Sequence, residues 1–161
     1  MPSSDGCTIS GNTLNYTGGA GILCRGGANP CRNNTIKDNK LFDKVVTLGY
    51  VEDNELLQFY CEASLFLYLS EYEGFGLPVL EAMKLGTPVV TSNTSSLPEI
   101  AGKGALLVDP EHDLDIAIAL RKALSDRKLR AQLIEQGKKR AAEFSWDKCA
   151  QETVKLYSNF A

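Results

Sequence analysis

From about residue 44 onward, short apolar runs alternate with stretches of helical apolar spacing, and that alternation restricts the chain to one class of fold. The run 45–48 (Val-Val-Thr-Leu) reads as a buried strand, and 65–69 (Leu-Phe-Leu-Tyr-Leu) is a continuous apolar run of strand length, as in strands covered on both faces. Strands that alternate with helices form βα units on a parallel sheet. The expected strands are 45–48, 65–69, 88–91 and 105–108. The first helix is expected over 54–63, capped by Asp53, with Leu56, Leu57, Tyr60 and Ala63 on its inner face. The next covers 77–85. Pro78 is harmless in its first turn, where an N–H has no helical partner, and Gly86 stops it. A short helix opens at Ser96-Leu97-Pro98-Glu99 and ends at Gly102. Another runs from its cap Asp113 to about Ser125, and a charged helix reaches about Phe144. Ser145 caps the last, whose face carries Cys149, Ala150, Thr153, Val154 and Tyr157.

The first 40 residues read differently. They are a poorly defined segment rich in Gly and Asn with room for one strand of the sheet, while 41–161 form the domain. Residues 14–17 suit a strand ending in the turn Gly18-Gly19-Ala20-Gly21. A dinucleotide fingerprint is nearly present there, but Cys24 occupies its third glycine place, so a plain glycine turn is the better reading. The chain's 161 residues suit one domain, and a net charge of −3 argues against a nucleic-acid partner. No apolar run approaches the roughly 20 residues of a membrane helix. The polar first twelve residues lack a secretory pattern, so a cytoplasmic location is expected. The five cysteines form neither a disulfide framework nor a zinc pair. Cys61 and Cys149 are expected in the core, and Cys24 and Cys31 leave pairing and free thiols equally open. Three Asn-x-Ser/Thr triplets are ascribed to chance.

The informative stretch is Glu71-Tyr72-Glu73-Gly74-Phe75-Gly76-Leu77-Pro78-Val79-Leu80-Glu81-Ala82-Met83. It passes from a strand end through a glycine turn into a helix start, and open α/β sheets bind ligands at the carboxyl ends of their strands. A helix start near Leu77 presents unpaired N–H groups and the positive end of its dipole to an anion. Gly74 and Gly76 allow close approach to the backbone. Two carboxylates flank that place. A diphosphate held there would carry a sugar on one side and a ribose on the other, and each offers vicinal hydroxyls to a carboxylate. Order and spacing give Glu73 to the sugar and Glu81 to the ribose. Taken singly, each acid has an ordinary structural explanation: a glutamate in the first turns of a helix suits the dipole, and Glu71 and Glu73 suit an exposed loop.

As a unit, two glutamates eight positions apart around Gly-Phe-Gly-Leu-Pro and before Ala-Met resemble the Glu-x7-Glu signature of retaining glycosyltransferases of the GT-B group. Leu48-Gly49-Tyr50-Val51, Gly86-Thr87-Pro88-Val89-Val90, Ser95-Ser96-Leu97-Pro98-Glu99, Leu107-Val108-Asp109-Pro110 and Phe144-Ser145-Trp146 continue the likeness over roughly 41–157. The resemblance implies a Rossmann-like, three-layer α/β domain on a parallel sheet, the C-terminal half of a GT-B fold with its first β-α unit missing. It implies that Glu73 is the catalytic-site acid and contacts the transferred sugar. Gly74, Phe75, Gly76 and Leu77 would hold sugar and phosphate oxygens through their backbone, and Glu81 would bind the ribose. Gly49, Tyr50 and Val51 would border the base. The substrate would be a UDP- or GDP-sugar, transferred with retention and without a metal or other cofactor.

The family's phosphate-binding Arg/Lys pair has no counterpart in a matching context, since Arg25, Arg32 and Lys37 carry no such pattern. The N-terminal acceptor-binding half is missing, and any peripheral membrane contact is expected to belong to it. A non-catalytic sugar-nucleotide-binding module or inactive fragment is therefore the second reading. A glycosidase is disfavoured, because a carboxylate beside a helix N-terminus is stabilised ionised and makes a poor general acid. A sugar-nucleotide epimerase of the same architecture would be recognised by its product. The single histidine, His112, is expected at the surface, and Asp113-Leu114-Asp115 is an accidental match to a metal-binding Asp-x-Asp.

Overall fold

Each apolar run after residue 64 becomes a strand whose alternate side chains serve opposite layers. The computed structural model describes residues 51–160 and the backbone of two short strands. These are β1 (Thr8–Ser10) and β2 (Thr35–Lys37), paired in parallel with Thr8 opposite Thr35. The strand expected at 45–48, Gly49, Tyr50, residues 14–21, and Cys7, Cys24 and Cys31 lie outside the described residues. From there the order is α1 (Asp53–Glu62), β3 (Phe66–Tyr68), α2 (Leu77–Leu85), β4 (Val89–Ser92), α3 (Leu97–Ala101), β5 (Ala105–Val108), α4 (Asp113–Ser125), α5 (Arg127–Ala142) and α6 (Trp146–Ser158).

β3, β4 and β5 form a parallel sheet in that order, with Phe66 opposite Val89 and Val90 opposite Leu106. Because strand side chains alternate, the sheet feeds two cores. Phe66, Tyr68, Val89 and Ala105 pack with Tyr60 of α1, four residues of α2, Leu97, Ile100 and Ala101 of α3 and Ala141 of α5. Leu65, Leu67, Val90 and Val108 pack with Ala119, Leu120 and Ala123 of α4 on the other side. A parallel sheet between two helical layers is the expected α/β architecture. No helix among the described residues is long and apolar enough to cross a membrane.

The turn chemistry of α2 fixes where it begins and ends. Gly76 precedes it in the left-handed region at φ 107°, and Gly86 follows it at φ 84° with its N–H on the carbonyls of Ala82 and Met83. Behind α2, α5 crosses at Gly137. A Cβ on Gly104 would lie 2.7 Å from Gly137 Cα, so the two glycines let α5 touch the backbone just before β5.

Several local expectations are corrected. Asp53 does not cap α1. It is the first helical residue, Glu52 precedes it, and the ladder opens from the Leu56 N–H to the Glu52 carbonyl at 2.9 Å. Asp113 likewise lies inside α4, with His112 before it. In both places an acid suits the first turn through the dipole without bonding an amide. Cys61 and Cys149 are exposed, not core. α1 buries only Tyr60 and α6 buries no residue, so the apolar spacing of these helices marks faces that stay largely open among the described residues. Ser145 does cap α6, its hydroxyl accepting from the Lys148 N–H at 3.1 Å.

Candidate functional site

The two-glutamate motif runs from the loop between β3 and α2, which carries Glu73, into α2, which carries Glu81, and the segment after β4 holds that loop in place. Thr94 Oγ1 donates to the Ser70 carbonyl at 3.1 Å. Ser95 Oγ accepts from the Glu73 N–H at 3.2 Å and donates to the Glu73 carbonyl at 2.8 Å. Ser96 Oγ lies within hydrogen-bond reach of two carbonyls, Glu73 at 3.0 Å and Phe75 at 2.9 Å. To meet Glu73 in this way Ser95 takes φ 55°, the left-handed region that a non-glycine residue seldom occupies. Strain of this kind persists where surrounding bonds over-determine it, as the three hydroxyls do here.

The anion-binding expectation rests on the start of α2. No side chain caps it. The amides of Gly74, Phe75, Gly76 and Leu77 donate to no group among the described residues. Unpaired N–H groups in the turn before a helix and at its first residue, together with the helix dipole, can accept an anion. The two glycines turn out to serve different ends. A Cβ on Gly74 would meet nothing within 4 Å, so this residue leaves open space. A Cβ on Gly76 would come within 2.8 Å of Leu97 Cδ2, so Gly76 is required by the protein's own turn and by α3, apart from any ligand.

Glu73 is half-buried and Glu81 is exposed. Each accepts a hydrogen bond from a phenol: Tyr68 donates to Glu73 Oε1, and Tyr60 to Glu81 Oε2 at 3.2 Å. The two tyrosines flank Phe66, edge-on to Tyr60 at 5.1 Å between ring centroids and stacked on Tyr68 at 5.8 Å. The motif's acids thus hang from the two ends of one aromatic row. Sequence reasoning placed both rings in the apolar pattern and missed the hydroxyls. The available signal was the residue type, because a buried tyrosine needs a partner for its O–H where phenylalanine would not.

Among the other expected site residues, Phe75 and Leu77 are exposed and Val51 is half-buried in an irregular segment. The Phe75 ring turns back onto Phe144, edge-on with centroids 5.9 Å apart, and the Arg140 guanidinium lies 4.6 Å over that second ring. Arg140 also donates to the carbonyls of Ile100 at 3.1 Å and Glu99 at 2.7 Å at the end of α3. His112 is exposed and paired with Asp109 at 3.0 Å. The Asp109 hydrogen bond, aided by its charge, raises the His112 pKa above the ordinary value. The Glu111 amide and His112 lower that of Asp109. Among the described residues no three His, Cys, Asp or Glu side chains gather as a metal set.

Comparison with known proteins agrees with this architecture. Residues 18–140 match the family model described as glycosyl transferases group 1. The chain is 45% identical over 111 residues to O-antigen chain mannosyltransferase B of Escherichia coli, covering 68% of this chain and 29% of that protein. The structure resembles sucrose-phosphate synthase from Thermosynechococcus elongatus with a TM-score of 0.68 and 31% identity, over 74% of this chain and 31% of the other. It also resembles the C-terminal domain of a glycosyl transferase group 1 protein from Francisella tularensis, with a TM-score of 0.58 and 30% identity, over 64% of this chain and 54% of that domain. The chain thus spans less than a third of the mannosyltransferase that it matches. With a model match over most of its length and the parallel three-layer sheet beneath it, the chain belongs to the glycosyl transferases group 1 family.

Proposed function

We propose that the chain is the sugar-donor-binding half of a retaining hexosyltransferase. The observation that carries this reading is the uncapped start of α2, where four amides are left for phosphate oxygens and the two acids of the motif stand fixed by hydrogen bonds. In this reading the amides of Gly74, Phe75, Gly76 and Leu77 hold the diphosphate, and they stabilise the charge that grows on it as the glycosidic bond breaks. Glu73 accepts hydrogen bonds from hydroxyls of the transferred sugar and fixes the anomeric carbon. Glu81 accepts from the ribose hydroxyls, and Gly49, Tyr50 and Val51 border the base.

The donor is a UDP- or GDP-hexose. Similarity to a mannosyltransferase makes GDP-mannose the first to test, beside UDP-glucose. Helix-start amides meet the phosphate charge, so no metal is invoked and EDTA leaves binding unchanged. The acceptor pocket belongs to a second half, since the mannosyltransferase relative extends well beyond the matched region. The 161 residues alone bind donor and transfer nothing, and the joined enzyme works in the cytoplasm. Calorimetric titration of the chain with UDP-glucose and GDP-mannose tests this reading. Binding of at least one is expected, weakened at least tenfold in Glu81→Ala through loss of hydrogen bonds to a charged group. Equal affinity in the variant and the parent chain would sink it.

A further inference from the structure

Two tyrosines outside the recognised motif do something that packing does not require. Tyr60 is 1% exposed and Tyr68 4%, so both rings belong to the core. Phenylalanine would bury a ring of the same size in either place, and each hydroxyl donates to a carboxylate of the motif. Both residues are also held by their backbones. The Tyr68 carbonyl accepts from Thr91 Oγ1 at 2.8 Å, and the Tyr60 carbonyl from Thr87 Oγ1 at 2.5 Å. Thr87 and Thr91 are themselves buried, one just before β4 and one within it. Each ring is therefore held at its root by a threonine, by contact with Phe66, and at its tip by a glutamate.

We infer that Tyr68 and Tyr60 are positioning residues, Tyr68 setting Glu73 for the sugar and Tyr60 setting Glu81 for the ribose. The inference rests on the donor-binding reading above. A free glutamate on a loop or an exposed helix face samples many rotamers, and ordering it on binding costs conformational entropy. A phenol anchored in the core fixes one carboxylate oxygen before the ligand arrives and removes much of that cost. The two acids then share one rigid support, although one lies on a loop and the other on a helix.

The inference is tested by NMR titration of the 161-residue chain with UDP, GDP, UDP-glucose and GDP-mannose, in parallel with Tyr68→Phe, Tyr60→Phe, Glu73→Gln and the double variant Tyr68→Phe/Glu73→Gln. Tyr68→Phe is expected to lower affinity for the preferred nucleotide sugar about tenfold while leaving its free nucleotide unaffected. Tyr60→Phe is expected to weaken nucleotide and nucleotide sugar by the same factor. The double variant should bind no more weakly than Glu73→Gln alone, because two residues acting through one contact are not additive. Thermal melts of both phenylalanine variants should overlay the parent. If Glu73→Gln loses the preference for nucleotide sugar and Tyr68→Phe keeps it, the positioning role is wrong and the donor reading stands. If Glu73→Gln also behaves as the parent, the donor reading itself fails. A Tyr68→Phe that loses nucleotide and sugar together, with a lowered melt, makes the hydroxyl merely structural and likewise overturns the inference.

Discussion

Helices α2 and α6 both carry apolar residues at helical spacing, yet one is enclosed and the other lies open. α2 buries Val79, Leu80, Ala82 and Met83 among its nine residues, against the sheet, α3 and α5. α6 has thirteen residues and buries none, leaving Trp146, Val154, Leu156 and Tyr157 exposed. Periodicity therefore identifies a face without saying whether neighbouring elements cover it. Cover decides the energetics, because an apolar side chain left in water contributes little to stability.

The largest effect that would sharpen this contrast is expected from Met83→Ala. Met83 is fully buried and packs against both Gly104 and Gly137, so its removal leaves a cavity. A loss of about 2–5 kcal/mol in urea unfolding follows from comparable core truncations. A loss under about 0.5 kcal/mol would break the picture of α2 as the packed helix. Gly76→Ala comes next. It puts a Cβ at φ 107° and 2.8 Å from Leu97 Cδ2, and about 1–3 kcal/mol of destabilisation is expected from strain and overpacking. Donor affinity should fall with it, since the same turn carries the amides proposed to hold the diphosphate. The smallest effect belongs to Val154→Ala on α6. With no core to leave, it should change stability by less than about 0.5 kcal/mol, and alanine's better helix propensity favours a slight gain. A loss of about 2 kcal/mol or more would show that the α6 face is covered in solution.

Where structure follows from residues close in the chain, the sequence was legible. The bounds of α2 and its closing turn came from Pro78 and Gly86, whose backbone chemistry allows little else. The Ser145 cap was equally readable. Asp53 and Asp113 were misplaced by one residue because an acid suits both the cap and the first turn. The carbonyl clamp of Thr94, Ser95 and Ser96 and the Tyr60–Glu81 bond were hidden because they join residues more than twenty positions apart. Nothing local to Ser95 announces that it will grip Glu73. Cys61 and Cys149 were misjudged for the same reason as α6, from a face taken as proof of cover.

The Phe75 ring has a consequence for how the candidate site responds to distant change. It stands against Phe144, which in turn carries the Arg140 guanidinium, and Arg140 is tied to the last carbonyls of α3. The far end of α5 thus acts as a buttress behind the loop from β3 to α2, so wear at Arg140 would register at the mouth of the candidate site without touching any group proposed to meet the ligand.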